Sequence, residues 1–201
     1  MTLRERKKAQ TREALAEAAL QLFADKGFEH VTVDEIAQSA QVSRRTYFRY
    51  FPTKEAVVFP DRERRLQQFQ EMLAARQPDD SPVETVRLAL LALARDYEEN
   101  RSRVMLQQRI VEGSVTVLAY DAELDRQWEG TIAEALGDRA GGRVRAVIRR
   151  RARLQAGALM GVIRAILNEW YAGAGRGDLK ALGQEAFDLL AHGMKTTADS
   201  Q

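Results

Sequence analysis

Residues 28–54 read FEHVTVDEIAQSAQVSRRTYFRYFPTK. Thr32 stands as an N-cap before a short run with helical apolar spacing: Val33, Ile36, Ala37 and Ala40. Glu35 follows three residues later, which is the spacing of a capping box. Gln41-Val42 breaks that run, and Ser43 supplies a second N-cap for a helix over Arg44–Tyr50. This second helix carries Arg44, Arg45 and Arg49 and no acid. Each helix is too short to be stable alone. Two such helices joined by a tight turn build a surface, here basic and aromatic, and one helix fits the major groove of DNA. In that reading the first turn, Arg44 and Arg45, points at base edges, and an arginine can bond bidentately to guanine. Thr46 reaches a thymine methyl. Tyr47, Arg49, Tyr50 and Lys54, with the caps Thr32 and Ser43, are assigned to phosphates or to the edges of the interface, contacts that set register without reading sequence. Phe48 and Phe51 are assigned mostly to the core.

Outward from this stretch, a long first helix ends at Phe23-Ala-Asp-Lys-Gly27-Phe28. Val31-Thr32-Val33 then leads into Ile36-Ala37, followed by Val42-Ser43, Tyr47-Phe48-Arg49-Tyr50-Phe51 and Thr53-Lys54-Glu55. Over about the first sixty residues this combination resembles the DNA-binding domain of the tetracycline-repressor (TetR) family of bacterial regulators. The family usually has Leu then Tyr where this chain has Tyr47 then Phe48, so a hydroxyl that often reaches a phosphate is missing, and Tyr47 or Tyr50 is expected to take its role. The run SRRTYFRYFPTKEAVVF is also similar to family members with an acyl-CoA-like ligand domain. The resemblance implies a homodimer, a roughly palindromic operator and a small-molecule effector bound in the C-terminal part.

Composition narrows the alternatives. The 201 residues allow one large domain, or a small one with a larger one. There is no cysteine, which excludes disulfides, thiolate zinc sites and cysteine nucleophiles and is compatible with a reducing cytoplasm, the expected location. The two histidines, His30 and His192, are far apart in sequence and suggest no metal pair. No apolar run approaches the roughly 20 residues that cross a bilayer. The charged N-terminus, MTLRERKKAQTR, does not read as a secretory signal. The net charge is +2, but it is unevenly spread. Residues 1–12 hold five basic groups (Arg4, Arg6, Lys7, Lys8, Arg12) against Glu5, and residues 41–54 hold four against none. Residues 61–201 balance. The N-terminal basic run is either a solvated tail or part of the surface facing phosphate.

The fold class read from these patterns is all-α, with about nine helices. Residues 1–50 form a three-helix DNA-binding head, and residues 51–201 form a helical ligand-binding and dimerisation bundle. In the first helix Leu15, Ala18, Ala19, Leu22 and Phe23 make one apolar stripe, closed by Gly27. Thr53 caps the next helix, which is expected to run from Lys54 to about Arg76 with a kink at Pro60. Gln77–Pro82 is a linker. Five helices follow, at roughly 83–99, 102–112, 115–137, 143–173 and 178–196, separated at glycines. The helix after Arg143 is apolar over a wide face, including Val147, Leu154, Ala158 and Ile166. The last carries Leu179, Leu182, Ala186, Leu189, Leu190 and Met194. These two helices are expected to pair with the same two of a second chain. Gly157 and Gly161 either let backbones approach there or accommodate a bulky neighbour within one subunit.

A ligand site in the body would draw on large apolar side chains with a few polar ones to orient the ligand. The residues proposed for it are Met105, Leu106, Arg109, Tyr120, Trp128, Met160, Ile163 and Leu167; the plain alternative is ordinary core. The basic run Arg143, Arg145, Arg149, Arg150, Arg151 and Arg153 either receives the phosphates of a nucleotide-like ligand such as a coenzyme A thioester, or is a solvated face paired with Glu123, Asp125, Glu129 and Glu134. No catalytic residue, metal ligand or cofactor is assigned, since no phosphate loop, nucleophile elbow or HExxH appears. The reading is a ligand-released repressor. Its rivals are an activator or architectural protein without an effector, an all-α enzyme whose head only localises it, and a membrane-surface module.

Overall fold

The computed structural model describes residues 2–77, 79–137 and 144–192. Within them the chain is helical and has no strand: α1 (Leu3–Lys26), α2 (Val33–Ser39), α3 (Arg44–Tyr50), α4 (Arg62–Ala74), α5 (Pro82–Glu99), α6 (Arg101–Glu112), α7 (Val115–Gly137), α8 (Val144–Ala172) and α9 (Leu179–His192). Arg143 and Met194, named above, lie outside the described residues.

The chain divides into two compact units, Met1–Arg64 with Ser102–Glu123, and Arg65–Arg101 with Leu124–Gln201. Compactness therefore follows a different line from the functional division expected near residue 50. The first unit joins the head to α6 and the start of α7, because Ile110, Val111 and Val117 are buried in one core with Leu15, Phe23, Ile36, Tyr47 and Phe51. The second unit is built on Phe69, Val86, Leu91, Trp128, Ile132, Leu159, Met160 and Phe187. In it α9 packs on both α5 and α8.

One expected element changes. The helix from Lys54 through Pro60 with a kink is instead a 3-10 turn over Glu55–Val58, followed by a separate α4 from Arg62. Proline has no N–H to donate to the turn before it and biases the preceding residue away from helix. Thr53 still caps, accepting from Ala56 N–H at 3.2 Å. In α1 the buried face comprises Leu15, Ala16, Ala19, Leu20 and Phe23, while Ala18 and Leu22 are half-buried at its edge. Gly27 ends the helix at φ +82°, with its N–H on Phe23 O at 2.9 Å, a backbone that glycine adopts without steric cost.

Candidate nucleic-acid interface

Both short helices of the head are fastened by their caps. Thr32 Oγ1 accepts from Glu35 N–H at 3.2 Å, and Glu35 accepts in return from Thr32 N–H at 2.8 Å. Lys26, at the end of α1, grips the same carboxylate at 2.7 Å. This ammonium, with the N–H and hydroxyl of Thr32, holds the Glu35 carboxyl down from 4.5 to about 2. The turn between the helices closes through Val42 N–H on Ala37 O at 2.9 Å, and Gln41 takes a left-handed φ of +54°. Ser43 Oγ then accepts from Thr46 N–H at 3.1 Å and starts α3.

The orientation of α3 is set by two aromatic anchors one turn apart. Tyr47 and Phe51 are fully buried, with ring centroids 5.9 Å apart. The Tyr47 hydroxyl donates to Thr53 O at 3.2 Å, and burial pushes the phenol's pKa up. Arg12 of α1 fixes the end of the helix. Its guanidinium donates to Tyr50 O and Pro60 O at 3.0 Å each and lies 4.6 Å from the Phe51 ring centre. Arg44, Arg45, Phe48 and Arg49 are exposed to solvent, while Thr46 and Tyr50 are half-buried. Arg44 Nη1 bonds Asp34 Oδ2 at 2.7 Å. Arg49 lies 5.2 Å from the Tyr50 ring centre.

Three assignments made from sequence are corrected here. Tyr47 cannot reach a phosphate, because its ring fills the core and its hydroxyl is spent on Thr53. Phe48, given to the core, is 41% exposed on the outward face. Lys54 donates to Phe28 O at 2.9 Å and to Val31 O at 3.1 Å and lies over the Phe28 ring, so it pins the loop into α2. Arg12 likewise leaves the basic N-terminal run. Arg4, Arg6, Lys7 and Lys8 remain exposed and lie on α1 itself, which a capping box between Thr2 and Glu5 begins. Phe51 stands in extended backbone just past the end of α3, so its place in the core did not say which of Tyr47 and Phe48 faces inward.

The residues expected to line a ligand site divide between the units. In the first unit Met105, Leu106 and Tyr120 are half-buried and Arg109 is exposed; Tyr120 stacks on Phe59, with centroids 6.0 Å apart. In the second unit Trp128 packs on Phe69 at 5.2 Å. Met160 is buried, Ile163 packs against the same core, and Leu167 is half-buried. Trp128 and Met160 are used in holding that unit together. A cleft of about 1010 Å³ in this unit, which none of the eight lines, is walled by α4, the start of α5, the end of α7 and α8. Arg76, Arg126, Arg149 and Arg153 line it against Glu129 and Glu134. No group of acidic or histidine side chains suited to hold a metal ion occurs among the described residues.

Residues 15–59 match the family described as bacterial regulatory proteins, tetR family. Residues 80–195 match the MftR C-terminal domain. The chain is 32% identical to the HTH-type transcriptional regulator TcmR of Streptomyces glaucescens, an alignment covering 94% of this chain and 86% of that one. It is 29% identical to a Mycobacterium tuberculosis protein named as transcriptional regulator MftR, over 94% of this chain and 93% of the other. Among solved structures it is similar to Thermus thermophilus FadR, a TetR-family repressor in complex with lauroyl-CoA. That match has 25% identity and a TM-score of 0.59, and covers 94% of this chain and 98% of that one.

Proposed function

The chain belongs to the TetR family of bacterial transcriptional regulators, with an MftR-type C-terminal part, and we propose on that premise that it is a homodimeric repressor released from a palindromic operator by an amphipathic effector. The observation that carries the reading is the outward face of α3, where three arginines stand in solvent on a helix held rigidly from behind. Arg44 and Arg45 read base edges, with Thr46 beside them, and Arg49 and Tyr50 hold phosphates. Thr32 and Ser43, at the starts of their helices, flank the contact. Such a protein works in the cytoplasm and does its work by binding rather than by catalysis.

Dimerisation through α8 and α9 is supported by what those helices leave uncovered. Val147 is 70% exposed and Leu154 67%, and Ala158, Gly161 and Ala165 continue the same line at alternating steps of four and three. Leu189 and Leu190 of α9 are exposed as well. An apolar seam of this kind calls for a partner, and a second copy offers the same seam through a two-fold axis.

An anionic, amphipathic effector is supported by the arginine-lined cleft and by the lauroyl-CoA of the T. thermophilus relative. Binding would shift α4 and change the spacing of the two recognition helices, so that both no longer fit successive major grooves. Linkage requires DNA to weaken effector binding by the same factor.

The test is a salt series on DNA upstream of the gene. Saturable binding that falls steeply with salt, and loses about 1–3 kcal/mol in Arg45→Ala, is expected. Added lauroyl-CoA should lower the operator affinity. Binding equal on random DNA and indifferent to Arg45 would overturn the regulator reading. Unchanged operator affinity at saturating acyl-CoA would remove that effector class alone.

A further inference from the structure

The outward face of α3 presents four side chains, and one of them is not polar. Phe48 stands among Arg44, Arg45 and Arg49, 41% exposed. An exposed ring is a poor partner for phosphate and has no hydrogen bond to offer a base edge. Packing does not account for its exposure either, since the neighbouring Tyr47 and Phe51 already supply the aromatic anchors of the helix.

The ring is also positioned. It meets the Tyr47 ring edge-on, with centroids 5.4 Å apart, and the Arg44 guanidinium sits 5.4 Å from its centre. Asp34 holds Arg44 in turn at 2.7 Å. Phe48 is thus flanked by a buried phenol on its own helix and by a guanidinium tied to the preceding helix. Side chains on a helix lean toward its N-terminus, so the ring covers the same first turn whose arginines enter the groove. The major groove holds one apolar group on its base edges, the C5-methyl of thymine.

We propose that Phe48 is a specificity-determining residue whose ring covers the C5-methyl of one thymine in each operator half-site. Resting on the DNA-binding role given above, the inference assigns apolar sequence readout to a position that the arginines alone would leave unread. In place of a phosphate contact through a hydroxyl, the chain has a methyl sensor here.

The experiment begins with selection of a binding site from randomised duplexes by the full-length protein. Each thymine of the recovered site is then replaced by deoxyuridine, which removes the methyl and keeps every hydrogen-bonding group. One thymine per half-site should be sensitive, losing roughly fourfold in affinity per substituted half-site, the equivalent of about 0.8 kcal/mol for one buried methyl. Phe48→Ala, an exposed change that leaves the core intact, should bind the thymine and deoxyuridine duplexes equally, while Phe48→Leu should retain part of the preference. A recovered site with no methyl-sensitive thymine, or a preference undiminished in Phe48→Ala, would overturn the role of Phe48 while leaving the regulator reading intact. Failure to enrich any sequence would overturn both.

Discussion

Ser114 donates its hydroxyl to Glu29 Oε1 at 2.7 Å, joining residues 85 apart in the chain. Ser114 Oγ itself accepts from Val117 N–H at 3.3 Å, so the residue that starts α7 also holds the loop leading into α2. Three further ion pairs lie in the same unit. Arg103 of α6 pairs with Glu13 of α1 and with Asp61, and Arg62 pairs with Asp121 at 2.7 Å. The head therefore does not end where its DNA-facing helices end; α6 and the first turns of α7 are fastened to it by charge and hydrogen bonding.

Ser114→Ala removes an N-cap and takes one hydrogen bond from the exposed Glu29 carboxylate, which keeps Thr116. The expected cost is about 1–2 kcal/mol, measured as a shift in the urea unfolding midpoint. A change within about 0.3 kcal/mol would show that water replaces the hydroxyl at no cost.

Acid should loosen the head in a defined window. Glu35 has its folded value depressed from 4.5 to about 2. Its stabilising share is therefore complete above 4.5 and is lost as pH falls from there toward 2. Glu29 is also lowered, chiefly by Ser114, and acts in the same direction. Thermal unfolding followed across this window should show the melting temperature falling, with a shallower fall in Glu35→Gln. Equal slopes in the two proteins would count against the capping box as the source.

Tyr47 separates ring from hydroxyl. Tyr47→Phe should cost about 1 kcal/mol, because the Thr53 carbonyl loses its donor. Tyr47→Ala should cost about 3–5 kcal/mol, because a fully buried ring leaves a cavity. If Tyr47→Phe kept its stability and weakened operator binding, the phenol would be a phosphate contact after all.

Two helical glycines should respond oppositely. A Cβ at Gly183 would meet Leu91 Cδ2 at 2.8 Å, where α9 packs on α5, so Gly183→Ala should destabilise by about 1–3 kcal/mol. A Cβ at Gly161 meets nothing within 4 Å, so Gly161→Ala should favour the helix by about 0.8 kcal/mol in a single chain. If the exposed seam of α8 is the dimer interface, the same methyl should weaken the dimer about tenfold or more in sedimentation equilibrium. A dimer of unchanged strength would place the interface elsewhere.

Much of the architecture was legible because the signals are local. Thr32 with Glu35 and Ser43 with Thr46 lie three residues apart, and their caps are short-range hydrogen bonds that composition and spacing announce. The stop at Gly27 and the later breaks at glycines are equally local. The broken helix at Pro60 was harder, since one proline is compatible with either a kink or a stop.

From the order of residues alone came the helical class, the two capped helices of the head, the arginines of α3 and the concentration of positive charge at the N-terminal end. Each depends on neighbours within a turn or two of helix. Packing decided which aromatic of the Tyr47–Phe48 pair faces inward, that Arg12 and Lys54 are spent on carbonyl groups, and that Trp128 and Met160 belong to a core. It also joined α6 to the head through Ser114 and Arg103. Those outcomes depend on contacts between residues up to 90 apart, and the energy of such a contact is set by which surfaces meet once the chain has closed on itself, a quantity no local spacing encodes.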